Sequence, residues 1–120
     1  MHEPPNPSSS RKLRLLFICS RNQWRSPTAE AIWKRSQEYE CRSAGTSPKA
    51  RKTVSTADLR WADVIFVMEN KHKQRLSAAF RGLLADKLIR VLGIPDEYAH
   101  MNPELIAELK NGVRSIIGTS

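Results

Sequence analysis

Cys19 and Arg25, separated by five residues and followed directly by Ser26-Pro27, put a sulfur nucleophile and a guanidinium on one short loop. A thiolate attacking phosphorus needs an anionic sulfur, several N–H donors aimed at the phosphate oxygens, and a cation that clamps two of those oxygens. This loop offers all three. Arg25 suits the clamp better than a lysine, because its planar fork matches two equatorial oxygens at once. The phosphate-binding set expected from the sequence is Ser20, Arg21, Asn22, Gln23, Trp24, Arg25 and Ser26. Asn22 tolerates a left-handed backbone and bonds readily to neighbouring peptides, so it is expected to hold the loop open. Ser26 can donate to the Cys19 sulfur and make it a better leaving group when a phosphoenzyme breaks down. The competing account of Cys19 is a buried strand cysteine, since free Cys packs like a small apolar residue.

Context favours chemistry. Leu13, Leu15, Leu16, Phe17 and Ile18 form an apolar run of the kind buried on both faces of a parallel sheet. Ser26 is a natural N-cap and Pro27 suits the first helical turn, with Ile32 and Trp33 available to pack on the sheet. Cys19 thus falls in a strand-to-helix loop, where the helix dipole favours an anion. Farther along, strands are expected at Tyr39 to Ala44, Val64 to Met68 and Leu88 to Leu92. Helices are expected at Thr56 to Ala62, from Asn70 to about Leu84, and after Asn102-Pro103. Alternating strands and helices imply an α/β domain with a four-stranded parallel sheet and helices on both faces. Ligands of such sheets sit beyond the carboxyl ends of the strands, where Cys19, Gly45, Glu69 and Asp96 should gather.

With these residues in view, the chain resembles the low-molecular-weight protein tyrosine phosphatases. The family's opening, an apolar strand and then Cys-x-x-Asn-x-x-Arg-Ser-Pro-x-Ala-Glu-Ala, is matched by Cys19, Asn22, Arg25, Ser26, Pro27, Ala29, Glu30 and Ala31. Ser43-Ala44-Gly45-Thr46, Lys49-Ala50-Arg51 and Ala62 to Asn70 resemble later segments of the family. The resemblance implies a flavodoxin-like topology and a phosphatase working through a cysteinyl phosphate; no cofactor is expected, and with two cysteines and no second His or acid beside His72 at metal-ligand spacing, no metal is expected either. The resemblance also implies Ser43 as a support of the loop, beside Asn22 and Ser26. Three departures stand out. Only Ser47-Pro48 separate Thr46 from Lys49, where the family carries a longer insert with an aromatic pocket wall. Trp24 stands where relatives often have a second cysteine, which removes that redox switch and places an aromatic at the pocket rim. Arg21 replaces a usual glycine.

The family's general acid is an Asp followed by Pro and an aromatic. Two places compete for it: Asp96 in Ile94-Pro95-Asp96-Glu97-Tyr98, with Tyr98 then at the rim, and Asn102-Pro103, which keeps the proline but has no acid. Asp96 is favoured because only it can transfer a proton.

Lys and Arg number 20 against 12 Asp and Glu, a net charge of +8. Such a field attracts phosphorylated protein, small phosphate esters and inorganic oxyanions, and makes nucleic acid a secondary candidate partner. Arg21, Arg25, Lys49, Arg51 and Lys52 are expected near the mouth, while His72 is expected to be solvated on a charged helix. The first 12 residues are expected to form a disordered tail and residues 13–120 one phosphatase-like domain. There is no 18-residue apolar run and no signal-peptide pattern, so no membrane partner and a cytoplasmic location are expected. Cys41, mid-strand, reads as packing. An arsenate reductase-like enzyme and a phosphate- or phosphoprotein-binding module with weak turnover are the alternative functions.

Overall fold

The computed structural model describes residues 12–117. Of the tail expected at the N-terminus, residues 1–11 lie outside the described residues, and Lys12 Nζ donates to the Ser36 carbonyl at 3.0 Å. The chain runs β1 (Leu13–Cys19), α1 (Arg25–Trp33), β2 (Tyr39–Gly45), α2 (Thr56–Trp61), β3 (Val64–Val67), α3 (Asn70–Ala79), β4 (Leu88–Val91) and α4 (Pro103–Ile117).

All strand pairs are parallel, and the sheet order is β2-β1-β3-β4. The expected four-stranded α/β fold is therefore observed. Alternation along β1 explains its unbroken apolar run. Leu15 and Phe17 face α1 and α4, meeting Ala29, Leu105, Leu109 and Val113. Leu16 and Ile18 face the other way, toward Leu59 of α2 and Leu76 of α3. Each of the buried Leu, Ile, Val and Phe side chains contributes about 1.5–3 kcal/mol of transfer free energy. Trp33 stacks on Phe17 with centroids 5.5 Å apart, and Phe17 stacks on Phe66 at 5.4 Å, so the half-buried Trp33 packs against the core. Among the described residues no helix is long and apolar enough to cross a membrane.

Two helix boundaries differ from expectation. α3 ends at Ala79 rather than near Leu84, because the chain turns through Phe80 and Gly82, the latter at φ +64°. Phe80, Leu83 and Leu84 still cover the core, but from a turn. α1 begins at Arg25, with Trp24 at the N-cap position and no side-chain cap. Ser26 is not the cap because its hydroxyl is used in the loop below. Asn102 does cap α4: its Oδ1 accepts from the Glu104 amide at 2.8 Å.

Candidate functional site

Cys19 ends β1 at the carboxyl edge of the sheet and is 3% exposed. The segment leaving β2 lies against the loop that follows. The amides of Thr46, Ser47 and Arg51 donate to the carbonyls of Cys19, Ser20 and Arg21 at 3.0, 2.9 and 2.9 Å. A planar trans peptide points its N–H opposite to its carbonyl. Fixing these three carbonyls on the β2 side therefore turns the amides of Ser20, Arg21 and Asn22 the other way. Accordingly, the Asn22 amide donates to Cys19 Sγ at 3.3 Å. Gly45 makes the close approach sterically feasible, since a Cβ there would sit 2.5 Å from the Ser20 carbonyl oxygen and 2.6 Å from Ala50 Cβ.

Asn22 adopts φ 56°, as its residue type suggested. Its side-chain amide donates to both Ser26 Oγ and Ser43 Oγ at 2.9 Å, and Ser43 in turn donates to Glu30 Oε1 at 2.5 Å. Ser26 Oγ lies 3.0 Å from Cys19 Sγ. The expected support residues Asn22, Ser26 and Ser43 thus form one network that ties the loop to α1 and β2, and Glu30, matched in the motif but given no role there, extends it.

A cavity of about 150 Å³ opens above this loop, lined by Cys19, Ser20, Arg21, Gln23, Trp24, Arg25 and Asp96. Arg25 is 2% exposed. Its Nη1 donates to the Ile94 carbonyl at 2.8 Å and to Glu69 Oε2, and its Nε lies 3.7 Å from Asp96 Oδ1. Gly93, at φ +72°, turns the chain after β4 so that Ile94 to Asp96 reach Arg25. Of the two candidates for the acid position, Asp96 lines the cavity, while Asn102 is committed to the start of α4. Trp24 is 46% exposed at the opening. Tyr98, expected at the rim, instead packs against the core and donates to Glu108. That hydrogen bond, with some desolvation and the neighbouring carboxylates, pushes its hydroxyl up to about 12.

The basic residues divide. Arg51 Nε donates to the Asn22 carbonyl at 3.0 Å and so braces the loop, whereas Lys52 pairs with Asp58 at 3.6 Å.

Glu69 was expected at this sheet edge without a role, and His72 was missed. His72 was expected in solvent; it is fully buried at the start of α3. Its Nδ1 accepts from the Glu69 amide at 3.0 Å and its Nε2 lies 2.9 Å from Ser20 Oγ. Burial, then the Arg25 charge, lowers the imidazole to about 4, with Glu69 opposing. Burial works against the Glu69 charge, but the hydrogen bond and charge of Arg25, with Lys71 and His72, hold its carboxyl below the usual range.

The sign of the resulting pH dependence follows from His72. Above pH about 6.5 the ring is neutral in both folded and unfolded chains, and it contributes nothing. As the pH falls from 6.5 toward 4, the unfolded chain takes up a proton that the folded one refuses. Stability should therefore drop by about 3 kcal/mol over that window. Urea unfolding of wild type and His72→Gln at pH 7 and 4.5 checks this, because the variant should lose less on acidification.

Cys41 pairs in register with Leu15, four residues from the Cys19 level, or roughly 13 Å along the strand. Disulfide bonding needs Cα atoms within about 7 Å. Burial, with Glu30 and Glu40, also pushes the Cys41 thiol up to about 12. These two cysteines are poorly placed for a sulfur relay.

Comparison with known proteins agrees with this architecture. A family model described as low molecular weight phosphotyrosine protein phosphatase matches residues 14–57, which include the loop, α1 and β2. The family resemblance read from the sequence is borne out over that segment. No curated protein matches the chain. Among solved structures, the low molecular weight protein tyrosine phosphatase SP-PTP from Streptococcus pyogenes superposes with a TM-score of 0.73 at 19% identity, covering 88% of this chain and 91% of its own. The low molecular weight protein tyrosine phosphatase from T. tengcongensis gives 0.66 at 24% identity, covering 89% and 99%. The YwlE arginine phosphatase from Geobacillus stearothermophilus gives 0.65 at 19%, covering 88% and 93%. The chain has their fold.

Proposed function

We infer that this protein, with the low-molecular-weight phosphatase signature in residues 14–57 and that family's fold, is a cysteine-dependent phosphatase. The observation that carries the inference is the position of Cys19 Sγ. It receives the Asn22 amide, lies beside the Ser26 hydroxyl, and lines the same cavity as Arg25 and Asp96.

In the reaction, Cys19 sulfur attacks phosphorus and the bond to the leaving oxygen breaks. Arg25 and the inward-turned amides hold the equatorial oxygens as charge spreads over them. The Asp96 carboxyl gives its proton to the departing oxygen, and its carboxylate then takes one from the water that attacks the cysteinyl phosphate. Ser26 donates to the sulfur as it leaves. A reducing compartment such as the cytoplasm keeps such a thiol active.

The substrate is a phosphomonoester, with phosphotyrosine implied by the family resemblance. Trp24 at the mouth supplies an aromatic surface for an aryl ring, and the positive charge of the chain favours dianions. Phosphoarginine is the competing substrate, because one structural match bears the name of an arginine phosphatase. Rates on matched peptides carrying phosphotyrosine, phosphoarginine or phosphoserine decide between them. The phosphotyrosine peptide should give the highest kcat/KM, and a higher value for phosphoarginine would reassign the substrate. Absence of turnover on all three would leave an oxyanion-binding module.

A further inference from the structure

The first turn of α3 grips the phosphate loop at two points. Glu69 takes Arg25 at one end, and His72 meets Ser20 at the other. We propose that His72 is a positioning residue, which fixes the Ser20 hydroxyl as a side-chain donor to an oxyanion bound in the cradle. The proposal rests on the phosphatase reading for its ligand class but reaches beyond it, to a residue outside the loop.

The direction of each hydrogen bond follows from which atoms can donate. The Glu69 amide can only donate, so His72 Nδ1, 3.0 Å away, carries no hydrogen. The neutral ring then has its hydrogen on Nε2, which must donate to Ser20 Oγ at 2.9 Å. A hydroxyl whose oxygen accepts there keeps its own hydrogen to give. Ser20 lines the cavity beside Cys19 and Arg25, and an oxyanion occupying that cavity is the acceptor its hydrogen would meet. Full burial of His72 keeps solvent from competing for either ring nitrogen. The groups facing the ring are Ser20 of the loop, Arg25 of α1, and Glu69, Lys71 and Arg75 around α3.

Two substitutions separate positioning from plain structural support. His72→Asn keeps an acceptor close to the place of Nδ1, and so keeps the Glu69 contact, but its side chain is too short for Ser20. His72→Gln sets an amide donor near the place of Nε2 and so reaches Ser20. Binding of inorganic phosphate by calorimetry and kcat/KM on p-nitrophenyl phosphate should each fall by roughly ten- to a hundredfold in His72→Asn, the worth of a hydrogen bond to a charged group. His72→Gln should recover most of that loss. In a Ser20→Ala background, His72→Asn should change neither quantity further.

Near-wild-type phosphate binding by His72→Asn, or equal losses in the Asn and Gln variants, would overturn the proposal. Because phosphate binding needs no turnover, a wild-type protein that binds phosphate without hydrolysing esters would refute the phosphatase reading and still test His72. Should the variants fail to fold, 15N NMR of the wild-type imidazole decides: hydrogen on Nε2 supports the assignment, and hydrogen on Nδ1 sinks it.

Discussion

A Cys19→Ser variant is expected to lose turnover on p-nitrophenyl phosphate by about 10³-fold or more while keeping its fold and its affinity for inorganic phosphate. The exchange is nearly isosteric at a buried position, and serine retains a hydroxyl able to bond Ser26 and accept from the Asn22 amide. What disappears is the sulfur nucleophile. An alkoxide is far harder to generate in this site, since among the described residues the contacts of Cys19 Sγ are the Ser26 hydroxyl and the Asn22 amide, with no histidine bonded to it as one serves a catalytic serine. Steady-state kinetics with calorimetric phosphate binding check the two halves together. Retained turnover would remove Cys19 from the mechanism, and lost binding with lost turnover would mean a collapsed loop instead of a missing nucleophile.

The second large effect falls on Asp96. For an Asp96→Asn variant we expect kcat to drop by about 10²–10⁴-fold on an alkyl or phenyl phosphate, and much less on p-nitrophenyl phosphate. The reason lies in the leaving group. A p-nitrophenolate departs readily without a proton, whereas a phenolate or alkoxide needs one delivered as the bond breaks. Asparagine preserves size and can still reach Arg25, so phosphate affinity should stay close to that of wild type. Asp96 is 54% exposed and lies 3.7 Å from Arg25 Nε, at the open side of the cavity where a departing group would leave. A rate loss that is uniform across leaving groups would show Asp96 acting through Arg25 alone. No loss on any substrate would leave the cavity without an identified acid.

How much of this was legible from the chain depends on the distance over which each interaction acts. Cys19, Asn22, Arg25 and Ser26 were readable because a strand, a loop and a helix start are local and their residue types are chemically restrictive. The sheet was readable as well, since β1 must be apolar on both faces when helices cover both. Ser26 was misjudged as a cap for a definite reason. Its hydroxyl had two uses, and the one involving Cys19, Asn22 and the Ala44 carbonyl requires β2 alongside the loop. His72 was harder still. In sequence it sits between lysines, in a stretch that reads as a solvated helix face; only the adjacency of β1 and β3 brings the start of α3 beneath Ser20. Glu69 carried a partial signal, standing directly after β3 at the sheet edge where ligands bind. The acid position was ambiguous for lack of any local mark on Asp96. The turn at Gly93, which aims Ile94 to Asp96 at Arg25, supplied the missing geometry.

The network from Asn22 through Ser26 and Ser43 to Glu30 joins the loop to two neighbouring elements and lies almost wholly within the protein. Because it ties the loop to both α1 and β2, opening the loop means prying those two elements apart. Such coupling makes ligand occupancy and global stability two faces of one equilibrium: any small tetrahedral anion that fills the cradle raises the unfolding free energy by mass action, by about 2.7 kcal/mol at a hundred times its dissociation constant. The salt chosen for storage or crystallisation would then act as a chaperone for this chain.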